Sequence, residues 1–182
     1  YEIANDSEKF AHLFNLKYNR SDVYLGLEIR NIDKDYNSIT GTGWRAGELG
    51  GLINFNYSPI EKFRTTTTID IYQDRLYPAE ENGHRYNEDV DWTATYQFDP
   101  DTNMNLSYTM QNDLGRVSQY RYISPGIGFS KTFRSIRNFY TYLNYYRQEN
   151  KNYTTPATDY LNDRVYAGIR FSLIGELYYY IN

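Results

Sequence analysis

The chain has no cysteine, only two histidines and no apolar run of the roughly 18 residues a membrane-crossing helix needs. Each absence removes a class of protein. Without cysteine there is no disulfide framework, no iron–sulfur cluster and no thiolate zinc site. His12 and His84 stand far apart, one in a strand-like run and one in a polar loop, with no serine or cysteine and orienting acid beside either. Nucleophile–base chemistry therefore has no support, and the chain is read as no enzyme, with no cofactor and no metal. Asp33-Lys34-Asp35-Tyr36-Asn37 starts like a calcium loop, but Ser38 and Trp44 stand where the turn glycine and closing glutamate belong. Gly41-Thr42-Gly43 has no strand and helix around it to make a phosphate loop. A net charge of −4 with both signs interspersed argues against nucleic acid as the partner. No basic, then apolar, leader opens the chain, as expected of a processed protein or of a piece of a longer one. Helical periodicity is missing too.

What is present is alternation. In Val90–Gln111, Val90, Trp92, Ala94, Tyr96 and Phe98 alternate with Asp91, Thr93, Thr95 and Gln97. Asp99–Asn103 reads as a turn, after which Met104, Leu106, Tyr108 and Met110 alternate with Asn105, Ser107, Thr109 and Gln111. A period of two sends successive side chains to opposite faces of a sheet, so this is a hairpin with one apolar and one polar face. The unit recurs. Strand expectations fall at 9–18, 23–32, 48–57, 63–73, 120–133, 139–148, 163–173 and 177–182, with a bulge or break at Pro125, which lacks a ladder donor. Residues 1–8 read as loop. Connections alternate in length. Short turns centre near 20, 60, 101, 135 and 174, and longer polar loops are expected at 33–47, 74–89, 112–119 and 149–162.

This rhythm, with Tyr18, Tyr57, Phe63, Phe98, Phe133, Phe139 and Phe171 all close to the short turns, resembles bacterial outer-membrane β-barrel proteins of the porin-like superfamily. The resemblance is one of pattern, covers nearly the whole chain and assigns no subfamily. It implies an all-β, antiparallel up-and-down transmembrane β-barrel, with about ten strands visible in one segment spanning 1–182 and no separate soluble domain. Short turns would lie on the periplasmic side, and the aromatic residues would form a girdle at the headgroup level. The mean hydropathy of −0.77 is compatible with this, because a barrel alternates and never shows a long apolar run. If short turns are periplasmic, residues 1–8 start outside, so the chain is expected to be part of a larger barrel with at least one further strand before Lys9. A soluble sandwich remains the rival architecture.

On that reading the polar faces would line a lumen. The lumen-lining candidates are Lys17, Tyr24, Glu28, Arg30, Asn54, Asn56, Arg64, Asp70, Asp91, Gln97, Arg164 and Arg170. Two roles stand open for the charged ones. They filter solutes along an aqueous path, or they pair across strands, as Glu28 with Arg30 and Arg64 with Asp70 would, in a plugged lumen. Tyr24, Tyr72, Tyr140, Tyr142, Tyr146, Tyr166, Tyr178 and Tyr180 offer flat faces to sugars or pack as girdle. Glu80, Glu81, Asn82, Glu88 and Asp89 read as a solvated acidic loop. The function implied is a porin-like channel or export conduit in the bacterial outer membrane, for polar solutes or polysaccharide. Its partners would be outer-membrane lipid and other protein subunits. The alternatives are a non-transporting barrel, acting as adhesin or as a sleeve around a partner protein, and a soluble glycan-binding β domain.

Overall fold

A computed structural model describes the backbone of residues 2–6, 9–35, 46–75, 85–115, 119–136, 139–172 and 178–181, and the side chains within 10–35, 46–75, 85–115, 119–135 and 139–170. The described chain forms eleven strands: β1 (Glu2–Asp6), β2 (Lys9–Asn19), β3 (Val23–Ile32), β4 (Glu48–Ile60), β5 (Phe63–Asp74), β6 (Arg85–Asp99), β7 (Thr102–Leu114), β8 (Gln119–Phe133), β9 (Phe139–Asn152), β10 (Tyr160–Ser172) and β11 (Tyr178–Ile181). Short 3-10 turns occupy Arg134–Ile136 and Pro156–Thr158. Each strand pairs antiparallel with the next in sequence, in the order β1 to β11, and no pairing joins β1 to β11 among the described residues. The architecture is one all-β antiparallel meander, open at both edges.

The register settles which residues share a face. Val90 opposes Met110, Trp92 opposes Tyr108 and Ala94 opposes Leu106 on one side of β6–β7, while Asp91–Thr109, Thr93–Ser107 and Thr95–Asn105 sit on the other. This parity propagates across the neighbouring ladders. Leu16, Leu27, Ile53, Ile69 and Val90 form one continuous apolar row. The four threonines Thr65–Thr68 lie within β5, where β-branched side chains suit a pleated surface better than a helix.

Several boundaries differ from the sequence expectations. Glu2–Asp6 is a strand, not loop: its register against β2 runs from Glu2–Leu13 to Asp6–Lys9. Backbone pairing to a neighbouring ladder does not need an apolar alternation, which this polar segment lacks. The polar loops are also shorter than expected. Arg85–Asp89 belongs to β6, Asn112–Leu114 to β7, Glu149–Asn152 to β9 and Tyr160–Asn162 to β10. The strands continue past their apolar portion because the polar residues there bond to one another. On the apolar side Glu88 accepts a hydrogen bond from Asn112 Nδ2 (2.9 Å), and Asn112 Oδ1 accepts one from Arg121 Nε (3.0 Å). Near Pro125 there is a local break and no bulge. The register against β7 runs through Tyr108–Pro125 unshifted, and pairing to β9 lapses between Ile123–Glu149 and Gly126–Tyr146 without a shift. The register shifts lie instead beside the tight turns, at Tyr57/Ile60 and Gln97/Asp99.

One clamp ties the long-loop ends of β3, β4 and β5. Gly47, with a φ of 82°, turns the chain into β4 in a conformation that favours glycine. Its carbonyl accepts from the Arg75 backbone N–H (2.9 Å) and from Arg75 Nε (3.2 Å). Arg75 Nη2 also reaches Asn31 Oδ1 and the Ile32 carbonyl, both at 2.8 Å.

At the opposite end the β6–β7 turn is held by Asp99, whose Oδ1 accepts the Asp101 N–H at 2.8 Å. That bond, helped by the Thr102 hydroxyl, keeps the exposed Asp99 carboxyl below the usual carboxylate range. A depressed folded-state value means the contribution is present above the ordinary range and is lost as pH falls through the lowered one. Protection of the Asp101 amide, its exchange rate relative to that of an unstructured amide at the same pH, should therefore be lost only in acid. Asp99→Asn, which keeps an acceptor but does not titrate, should flatten that pH dependence.

Candidate functional site on the polar face

The two faces of the sheet differ in burial as well as chemistry, and in the reverse sense to a soluble core. Among the described residues the buried hydrophobic side chains are Ile32 and Ala94, whereas the most deeply buried large side chains are Arg30 (1% exposed) and Asp113 (0%). Phe14, Leu16, Tyr18, Leu25, Ile29, Ile53, Ile71, Phe129, Leu143, Val165 and Ile169 are all exposed, and all share the apolar face. Among the described residues no second layer covers either face, since every described strand belongs to the one sheet.

The twelve lumen-lining candidates all fall on the polar face by register. The structure brings some together. Arg30 Nε bonds Glu48 Oε2 at 2.5 Å and Arg30 Nη2 bonds Asp70 Oδ1 at 2.6 Å. Glu28 lies 3.6 Å from Nη1, and the guanidinium carbon sits 5.2 Å from the Tyr72 ring centroid. Gly50 makes this possible. It is the register partner of both Arg30 and Tyr72. A Cβ there would collide with the Ile71 carbonyl and stand 2.5 Å from Tyr72 Cβ. Asp70 thus pairs with Arg30 and not with Arg64 as expected; Arg64 lies nearer the short-turn end, where it lines a hollow of about 220 Å³ with Tyr24 and Asn56. Asn54 accepts from the Thr68 hydroxyl (3.1 Å) and Asp91 from the Thr109 hydroxyl (2.9 Å). Lys17 on β2 and Gln97 on β6 share the face nearer the short-turn end, and Arg164 and Arg170 lie on its β10 part.

Other members of this face are not evident from the alternation alone. Glu48 reads only as a strand start. Arg85 and Asp113 read as loop, yet Arg85 grips Asp113 with two nitrogens, one at 2.7 Å from Oδ1. Extending the parity of Asn54 back to Glu48, and of Gln111 on to Asp113, would have found them. Tyr120, Tyr122 and Tyr160 join Tyr140, Tyr142, Tyr146 and Tyr166 on the polar face of β8–β10. Glu88 and Asp89 are strand residues facing opposite ways, not members of one acidic loop. His84, Glu80, Glu81, Asn82, the Gly41–Gly43 stretch and the side chains of Tyr178 and Tyr180 lie outside the described residues.

The polar face divides laterally. Toward β3–β6 it carries Glu28, Glu48, Asp70, Asp89 and Asp91 around Arg30. Toward β8–β10 it carries tyrosines, amides and glycines. Between the halves a hollow of about 390 Å³ is lined by Thr93, Thr95, Asn105, Ser107, Asn144 and Tyr146, over Gly128. Tyr146 meets Tyr166 edge-on at 6.0 Å, and Tyr140 lies 6.0 Å from Tyr142. Among the described residues no group of acids and histidines has metal-ligand geometry.

Comparison with models of protein families, with curated proteins and with solved structures matched none of them.

Removing Arg30 would leave Glu28, Glu48 and Asp70 facing one another without their shared cation. Arg30→Met should destabilise the sheet by roughly 3–5 kcal/mol, as expected when one partner of a buried ionic group is removed. Gly50→Ala should cost about 1–3 kcal/mol by overpacking the same spot. Thermal and denaturant unfolding in detergent, on each variant alone, checks both.

Proposed function

We propose that the chain is part of an outer-membrane β-barrel whose polar face lines a passive conduit for polar solutes. The observation carrying this is the inverted burial: large apolar side chains exposed on one face, and Arg30 and Asp113 enclosed on the other. A single layer with such an apolar face is stable when that face meets hydrocarbon, because contiguous apolar surface of this extent is unfavourable in water. The dimensions agree. Val90 to Phe98 spans roughly 27 Å along β6 at about 3.4 Å per residue, close to the apolar band of such barrels once tilt is allowed for. Both ends of the band carry groups suited to an interface. At the short turns Tyr57 stacks on Phe55, Tyr96 meets Phe98, and Lys131 lies over Phe133. At the other end the outward faces turn polar, with Glu88, Asn112 and Arg121 bonded in a chain and Lys151 3.0 Å from Glu149.

Within hydrocarbon an unpaired strand edge leaves backbone groups unsatisfied. The reading therefore includes further strands that pair with β1 and β11 and close the ring, whichever chain supplies them. The lumen wall would then be the mixed polar face, acidic and Arg30-bridged on one side and neutral to basic on the other. Both signs are present, which favours polar solutes generally over one ion type.

Membrane fractionation and planar-bilayer conductance test this. The protein should pellet with membranes, require detergent for extraction and raise bilayer conductance in discrete steps. Recovery in the soluble fraction would overturn the barrel, and membrane insertion without conductance would overturn the conduit. Val165→Arg separates the solvents directly. Val165 is 66% exposed, so in water the change would be nearly neutral, within about 0.5 kcal/mol. Facing lipid it should cost up to roughly 2–4 kcal/mol, depending on depth.

A further inference from the structure

We propose that the hollow over Gly128 is a subsite for one sugar unit of an acidic polysaccharide, whose chain continues across β9 and β10 toward Arg164. The inference rests on the reading of this face as a conduit wall and names what the wall is shaped to carry.

The chemistry of the hollow selects for a sugar ring. Its walls are two threonine hydroxyls, one serine hydroxyl, the amides of Asn105 and Asn144, and the ring of Tyr146. No charged side chain lines it. A pyranose presents equatorial hydroxyls around its rim and C–H groups on its faces, so it asks for several neutral hydrogen-bonding groups beside one aromatic face. An extended peptide would ask for apolar pockets at alternate positions, and the polar face offers none here.

The hollow is built by glycine. On β8 the polar-face positions between Ser124 and Ser130 are Gly126 and Gly128. A Cβ on Gly126 would stand 2.5 Å from Ser107 Oγ and 2.6 Å from Tyr146 Cδ1. A Cβ on Gly128 would collide with Asn144 Oδ1. Tyr146 therefore leans over bare backbone of β8, where any larger residue would push it off. The Thr95 hydroxyl donates to Asn105 Oδ1 at 2.9 Å and fixes that amide at the rim.

Charge distribution sets the sign of the ligand. On the polar face of β8, β9 and β10 the described side chains include no carboxylate; Glu149 and Asp163 face the other way. Arg164 is the direct register partner of Tyr146, and Arg170 lies further along the same face. Tyr166, 46% exposed and edge-on to Tyr146, is a second platform one step along β10. On β3–β6 carboxylates outnumber Arg30, Arg64 and Arg85 on the same face, so an anionic chain is steered from that net acidic side toward the tyrosine side.

Titration calorimetry on the full chain in detergent micelles tests the subsite, with hexagalacturonate, maltohexaose and hexaglutamate as probes. Hexagalacturonate should bind saturably and more tightly than maltohexaose. Tyr146→Ala should weaken both sugars by about tenfold or more, a loss of about 1.4 kcal/mol or more, whereas Tyr146→Phe, which keeps the ring, should bind nearly as well as the native protein. Gly128→Val should abolish binding by pushing the Asn144 amide into the hollow. Arg164→Gln should erase the preference for the uronate and leave maltohexaose unchanged. Circular dichroism in the same micelles identifies variants that fail to fold, and Tyr146→Phe and Arg164→Gln decide the matter if Gly128→Val is one of them. No binding of hexagalacturonate to the native protein, equal binding after Tyr146→Ala, or equal binding of hexaglutamate would overturn the proposal. Sugar binding without bilayer conductance would sink the conduit and spare the subsite; conductance without sugar binding would do the reverse.

Discussion

Each described strand pairs antiparallel with the next from β1 to β11, so the backbone groups find their partners laterally, as a strand in an apolar medium would require. The rest of the structure is permitted by it. With the backbone satisfied laterally, neither face is needed to cover the other, and the faces are free to differ completely. Where the ladder falters, it does so in places consistent with this. The register shifts lie at the short turns beside Ile60 and Asp99, outside the apolar band. The lapse near Pro125 affects one side of β8 only, where the missing proline N–H removes a donor.

Given two independent faces, burial does not follow hydrophobicity: Arg30 and Asp113 are buried while Leu16, Ile29 and Val165 are exposed. The polar face is the more enclosed one, so its polar groups must satisfy each other. Arg30 does this for three carboxylates at once, reached across the bare backbone of Gly50, and Arg85 does it for Asp113. Glycines play the same part on the other side of the face, where Gly126, Gly128 and Gly168 lie beneath Tyr146, Asn144 and Tyr142. Small residues on the polar face thus do two jobs: they let long side chains lie along the sheet, and they leave hollows between them.

The strands and their faces were legible in the sequence because a period of two is a local signal. Val23–Ile32 reads as β3 to the residue, and Phe63–Asp74 is off by one. The ends were not legible, because the alternation of apolar with polar stops before the pairing does. Glu88 and Asn112 look like loop composition, yet they are held in strands by bonds to each other and to Arg121 across β6, β7 and β8. The site was legible as a face and not as a set of contacts. All twelve candidates lie on it, but that Asp70 would choose Arg30 over Arg64 depends on the register of β3, β4 and β5 and on the gap at Gly50 between them. Neither quantity is encoded near any one of these residues in sequence.

The separation of charge along the polar face has a consequence for how a wall of this kind discriminates. Acidic and basic groups mixed at random along it would cancel at distances beyond about 10 Å at 0.1 M salt, and a solute would meet a neutral surface. Here Glu28, Glu48, Asp70, Asp74, Asp89 and Asp91 outnumber Arg30, Arg64 and Arg85 on β3–β6, whereas the charged polar-face residues described on β8–β10 are Arg164 and Arg170, with tyrosines and amides between. If this face is the conduit wall proposed above, a solute crossing it would pass from a net acidic region through a neutral, aromatic one to a basic one within one continuous surface. Such a wall would select by where a solute rests rather than by whether it enters. An anion would be displaced toward the tyrosines, a cation toward the carboxylates of β3–β6, and a neutral sugar would find hydrogen-bonding hydroxyls and amides in the middle. The net charge of the chain does not capture that behaviour; the lateral register of eleven strands does.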